Sequence, residues 1–133
     1  TSHVLPALLR KFHEAQRDGH ERVVLWGSGK PRREFLHVDD LADACLFLMQ
    51  HYNEPGFVNI GTGEDLPIKE LALLIQKITG FRGAIDHDRS KPDGTPRKLL
   101  DVTKLHSLGW HHRIGLEEGL QMVYEGVQGE SWY

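Results

Sequence analysis

A single cysteine, Cys45, stands among the 133 residues. That excludes an internal disulfide and a multi-thiolate metal site, and it suits a reducing compartment, read here as the cytoplasm. No apolar run approaches the roughly 20 residues of a membrane-spanning helix, because charged side chains interrupt every hydrophobic stretch. The first residues, Thr1-Ser2-His3-Val4-Leu5-Pro6, lack the basic start and long apolar core of a signal peptide. They also lack a Met, so the expectation is a chain that begins inside something longer. Sixteen Lys and Arg against nineteen Asp and Glu give a net charge of −3, which argues against nucleic acid or a membrane surface as partner. Gly-x-Gly-x-x-Gly, the Walker loop and Gly-x-Ser-x-Gly are all missing. So is Tyr-x-x-x-Lys: Tyr52 is followed four places on by Gly56, and Tyr124 by Gln128. No catalytic residue is therefore assigned within this chain. Its nine histidines fall in no metal-ligand spacing, so no metal is expected either.

What is present is the composition of one soluble globular unit, with 39% hydrophobic and 26% charged residues. Periodicity predicts a helix over 4–17 with Val4, Leu8, Phe12 and Ala15 on one face. Strands are predicted at 22–26 and 33–38, followed by a helix capped by Asp39 or Asp40 with an apolar stripe of Leu41, Cys45, Leu48 and Tyr52. A further strand is expected at 56–60. The helix at 66–79, with Asp65 as cap and Gly80 as stop, is the clearest in the chain. A weaker strand at 83–87, a loop over 90–97, a short helix after Asp101 and a last helix from Leu116 complete an α/β pattern.

Four clusters offer chemistry, each with a plainer alternative. In Trp26-Gly27-Ser28-Gly29-Lys30-Pro31-Arg32-Arg33-Glu34-Phe35, an aromatic plane and several cations could take a base or sugar and a phosphate. The plainer alternative is a hairpin with a core Trp and solvated charges. Ser90-Lys91-Pro92-Asp93-Gly94-Thr95-Pro96-Arg97-Lys98 is stiffened by two prolines and presents charges at fixed positions, or is an ordinary connector. Asn59-Ile60-Gly61-Thr62-Gly63 reads as a tight strand-to-helix turn. His3 alone would count as a solvated or structural histidine. The residues by themselves thus support an α/β domain with two basic loops suited to an anionic ligand.

The run Arg33-Glu34-Phe35-Leu36-His37-Val38-Asp39-Asp40-Leu41-Ala42-Asp43-Ala44 resembles the R-[ED]-[FW]-x-[HY]-V-x-D-x-[AV] region of extended short-chain dehydrogenase/reductases that act on nucleotide sugars. Three stretches narrow the resemblance to the GDP-L-fucose synthase branch. They are residues 2–13, Val24-Leu25-Trp26-Gly27-Ser28-Gly29, and residues 90–102, the last being the most specific. The implied fold is the C-terminal substrate-binding portion of such an enzyme with a few late Rossmann elements and no complete Rossmann domain. Residues 1–133 form that portion, and 39–60 are expected to pack on the Rossmann half.

The same resemblance implies roles. His3 would lie at the nicotinamide end of NADP(H). Val4, Lys11, Trp26, Arg33, Lys91, Asp93 and Lys98 would bind substrate, with Arg33 and Lys98 directed at the GDP pyrophosphate. Cys45 is not read as the family's catalytic cysteine. The implied activity is an NADPH-dependent epimerase/reductase turning GDP-4-keto-6-deoxy-D-mannose into GDP-L-fucose. The implied partners are a GDP-sugar, the N-terminal Rossmann half and, in the intact enzyme, a second copy of the protein. Without the Ser-Tyr-Lys group the chain by itself is expected to be inactive. The alternatives are an enzyme of the same family acting on a UDP- or dTDP-sugar, and a non-catalytic nucleotide-sugar-binding module.

Overall fold

The strand expected at 22–26 forms as β1 (Arg22–Trp26), and its alternation decides how the first layer faces. Val23 and Leu25 are buried while Arg22, Val24 and Trp26 point away. The computed structural model describes residues 4–54 and 56–127. Besides β1, these hold α1 (Val4–Asp18), β2 (Arg32–Arg33), α2 (Val38–His51), β3 (Leu66–Pro67), α3 (Ile68–Thr79), β4 (Ala84–Asp88), β5 (Arg97–Lys98), α4 (Thr103–Ser107) and α5 (Leu116–Val127). β1 pairs in parallel with β4, from Arg22 opposite Ala84 to Trp26 opposite Asp88. A second sheet runs in the order β3-β2-β5. β2 is antiparallel to β3 and parallel to β5.

The main core lies between α1, β1, α3 and α5. Leu9, Phe12, Leu71, Ile75 and Leu120 are fully enclosed there, and Phe12 meets Phe81 edge-on with ring centroids 5.7 Å apart. Truncating a phenylalanine enclosed like Phe12 to alanine costs about 3–5 kcal/mol. Tyr124 of α5 closes the cluster, its hydroxyl 2.8 Å from Nδ1 of His13. A smaller core gathers Ala44, Leu105 and Trp110. α3 stops at Gly80, which takes φ +76 and donates its N–H to the Gln76 carbonyl.

Several expectations need correction. Residues 33–38 do not form one strand: only Arg32–Arg33 pair, and the chain then runs extended into α2. The cap of α2 is His37, whose Nδ1 accepts the Asp39 N–H at 3.0 Å, not Asp39 or Asp40. Asp40 is buried and accepts the N–H groups of Arg113 and Ile114. The buried side of α2 is Asp40 and Ala44, with Phe47 and Leu48 half-covered, whereas Leu41 and Cys45 are exposed. Residues 56–60 pair with no strand among the described residues. Asp65 does not cap α3, because Pro67 takes that position and Asp65 serves the sheet instead. The substrate-binding expectation at Val4 falls on a residue whose backbone starts α1 and whose side chain lies outside the described residues, as does His3 altogether.

Candidate functional site

A cleft of about 470 Å³ opens where α1, the end of β1 and the 92–94 loop meet. α1 contributes Lys11, which lies about one turn from each of the buried Leu8 and Ala15, so its stem is anchored at the edge of the buried face while the residue itself is exposed at the cleft. β1 ends in Trp26, which is 72% exposed at the rim. The core-Trp hairpin is thereby excluded: β1 and β2 belong to different sheets, and the indole is free to meet a ligand. Gly29, Pro31 and Arg33 form the floor, and Pro92, Asp93 and Gly94 the opposite wall.

Sheet pleating sorts the cations into two groups. On one face of the β2–β5 pair, Arg32 lies opposite Arg97, and both converge on Asp65 at 3.1 and 2.7 Å. The Asp65 side chain is only 4% exposed, and the Arg97 and Arg32 hydrogen bonds hold its carboxyl below the ordinary value. On the other face, Arg33 lies opposite Lys98. No carboxylate contacts Arg33 among the described residues; its Nη1 donates to the carbonyls of Arg32 and Thr95, each at 2.7 Å. Parallel neighbours in register project to the same side, so two positive side chains share one surface next to the cleft. That arrangement suits two anionic centres close together, as in a diphosphate.

Of the residues expected to bind substrate, Lys11, Trp26, Arg33 and Asp93 line this one cleft. Lys91 sits at the rim with its ammonium 5.0 Å from the Trp26 ring centroid, and Lys98 stands beside Arg33 on β5 rather than in the cleft itself. Asp93 is engaged by its own fold: its carboxylate accepts the Ser28 N–H at 2.8 Å and the Ser28 hydroxyl at 2.7 Å. Those two bonds, the backbone one foremost, lower its pKa, with Lys30 and Arg89 adding to the effect.

Sequence reasoning missed Asp65, read as a helix cap, and Glu34. Glu34 accepts the Gly63 N–H at 2.6 Å, and a Cβ at Gly61 would collide with it. The acidic second residue of the Arg-Glu-Phe run thus fastens the Gly-Thr-Gly turn to the sheet that carries Arg33. Asp43 likewise accepts Trp110 Nε1–H at 2.9 Å. A larger hollow of about 580 Å³ near Asp43 and Arg113 is therefore built around structural contacts.

The NAD dependent epimerase/dehydratase family matches residues 1–61. The putative GDP-L-fucose synthase 2 of Arabidopsis thaliana is 56% identical over 132 residues, which are 99% of this chain and 38% of the relative. The GDP-L-fucose synthase of Escherichia coli (strain K12) is 53% identical, over 93% of this chain and 41% of its own length. Over its length the chain is thus similar to part of these GDP-L-fucose synthases. It spans about two-fifths of the length of these curated relatives. Among solved structures, a GDP-L-fucose synthetase from Naegleria fowleri bound to NADP superposes with a TM-score of 0.87 at 28% identity, covering 96% of this chain and 41% of that one. The fold is accordingly a partial α/β unit with epimerase-like structural neighbours.

Proposed function

We propose that this chain supplies the sugar-nucleotide-binding portion of an NADPH-dependent epimerase/reductase that converts GDP-4-keto-6-deoxy-D-mannose to GDP-L-fucose. The observation that carries the reading is the Arg33–Lys98 pair beside a cleft lined by Lys11 and Trp26. The two cations neutralise the pyrophosphate, and the binding energy gained there holds the hexose for reaction. In the intact enzyme, protons move at the sugar carbons near the keto group and hydride then reaches C4, with a tyrosine elsewhere in the longer protein as proton donor. When bound, NADP(H) would supply that hydride. The sequence carries no dinucleotide fingerprint, and the described cleft suits the sugar nucleotide, so the expected contact with the cofactor rests on His3.

The proposal extends to the rest of the protein. Val38, Leu41, Cys45, Leu46 and Met49 lie on one exposed side of α2, and Phe57 is 83% exposed nearby in sequence. An apolar surface of this kind fits burial against the Rossmann half, as expected for 39–60. No helix of the described residues is long and apolar enough to cross a membrane. The lone cysteine fits a cytoplasmic enzyme, and the homodimer follows from the family resemblance.

The deciding experiment is calorimetric titration of the full-length protein with GDP-, UDP- and dTDP-sugars. Preference for the GDP-sugar supports the reading. Equal affinity for all three, or none for any, overturns it.

A further inference from the structure

The segment from Lys91 to Arg97 is tied down at every second residue. Lys91 lies over the Trp26 ring, Asp93 is held by Ser28, the Thr95 carbonyl accepts from Arg33, and Arg97 pairs with Asp65. Trp26 and Arg33 belong to the cleft and Asp65 to the sheet beneath it. Ser28 is different, because it is not among the side chains that line the cleft. Its hydroxyl donates to Asp93 and accepts the Lys30 N–H at 3.1 Å, so one oxygen both closes the turn and reaches across to the facing loop. The contact leaves no slack. Gly27, at φ +82, has no room for a Cβ against Asp93 Oδ1.

We propose that Ser28 is a positioning residue for sugar-nucleotide binding, acting through Asp93 to set the height of the 91–97 strap over the cleft. The proposal rests on the sugar-nucleotide reading given above. By fixing Asp93, Ser28 keeps Lys91 over the indole of Trp26 on one side. On the other side it keeps the Thr95 carbonyl against the Arg33 guanidinium, so that side chain is oriented before the ligand arrives. Orientation in advance removes ordering cost from binding. The clamp depends on an ionised Asp93. The charged groups around it are Lys30 and Arg89, with Lys11 and Arg33 on the cleft side and Lys91 two places along the strap. All are cations, so the carboxylate stays charged at neutral pH and the strap loosens only on acidification.

The test is titration of GDP into the full-length protein between pH 4 and 7.5, for the natural protein, Ser28→Ala and Ser28→Thr. Acrylamide quenching of tryptophan fluorescence without ligand provides a second readout. Ser28→Ala is expected to weaken GDP binding about tenfold at pH 7, to move the acid loss of affinity to higher pH, and to increase quenching as Trp26 loses Lys91. Ser28→Thr restores all three. A natural protein that binds GDP and a Ser28→Ala variant with the same affinity and pH profile overturn the role of Ser28 alone. A natural protein that binds no GDP overturns the cleft reading and this role together. Should Ser28→Ala melt below the assay temperature, Asp93→Asn takes its place, and unchanged binding by that variant is equally decisive against the proposal.

Discussion

Arg33 and Lys98 are register partners on adjacent parallel strands, each two residues long. Their immediate neighbours Arg32 and Arg97 are also register partners, and these are neutralised by Asp65 on the opposite face. Like charges directly opposite one another destabilise a sheet. One pair is compensated from within the chain, and the other meets no carboxylate among the described residues.

Replacing Arg33 or Lys98 by Ala is expected to weaken GDP-sugar binding by about 1.5–3 kcal/mol, the range for charge-assisted hydrogen bonds. NADPH affinity should change much less. Calorimetry with each ligand in turn checks this, and equal weakening toward both would remove Arg33 from its assigned role.

The Asp65 carboxyl sits below its ordinary value of 3.8 in the folded chain. Its contribution to stability is therefore present above the unfolded value and is lost as pH falls from about 4 through the folded value. Asp93 and Asp101, also lowered, act in the same window. Melting temperature should fall steeply below pH 4. Asp65→Asn should melt lower at pH 7 and show a shallower acid slope, whereas an unchanged slope would contradict the pairing.

Gly27 and Gly80 both hold positive φ, +82 and +76, but only Gly27 has a neighbour where a Cβ would go. Gly80→Ala should cost about 1–2 kcal/mol from backbone conformation alone. Gly27→Ala carries the same cost and also displaces Asp93, so it should lose more in chemical denaturation and weaken GDP binding besides. Equal losses for the two variants would mean that the turn and the strap are not in contact in solution.

The exposed side of α2 gives a prediction about assembly. The isolated 133-residue chain should self-associate in light scattering and show no NADPH oxidation with the keto-sugar. Glu at Leu46 and Met49 should reduce association without lowering the melting temperature, because both side chains are exposed, Met49 at 81%. Steady turnover, or a monomer with no tendency to associate, would oppose the assignment of this face to the Rossmann half.

The long helices were legible because their burial follows a 3.6-residue period: Leu8, Phe12 and Ala15 on α1, and Leu71 and Ile75 on α3, are buried where the pattern put them. The two-residue strands were not, since nothing within Arg32–Arg33 or Arg97–Lys98 has a period to read. α2 misled because both its sides are apolar, one covering Ala44 and the other bare. In the site, Trp26 and Arg33 stood out by residue type. Ser28 and Asp65 did not, because their roles come from partners 65 and 32 positions away.

That separation bears on how the protein acquires its shape. Every tie of the strap to the cleft is non-local: Ser28 to Asp93 spans 65 positions and Arg33 to Thr95 spans 62. Loop-closure entropy favours nearby contacts first. The helices, whose contacts are local, can form while residues 91–98 are still unplaced, whereas the β1–β4 ladder closes a loop of 62 positions and is expected to become native late, together with the cleft wall. During synthesis the Arg32 and Arg33 side chains emerge long before Arg97 and Lys98, and the cleft waits for the ribosome to deliver its second wall.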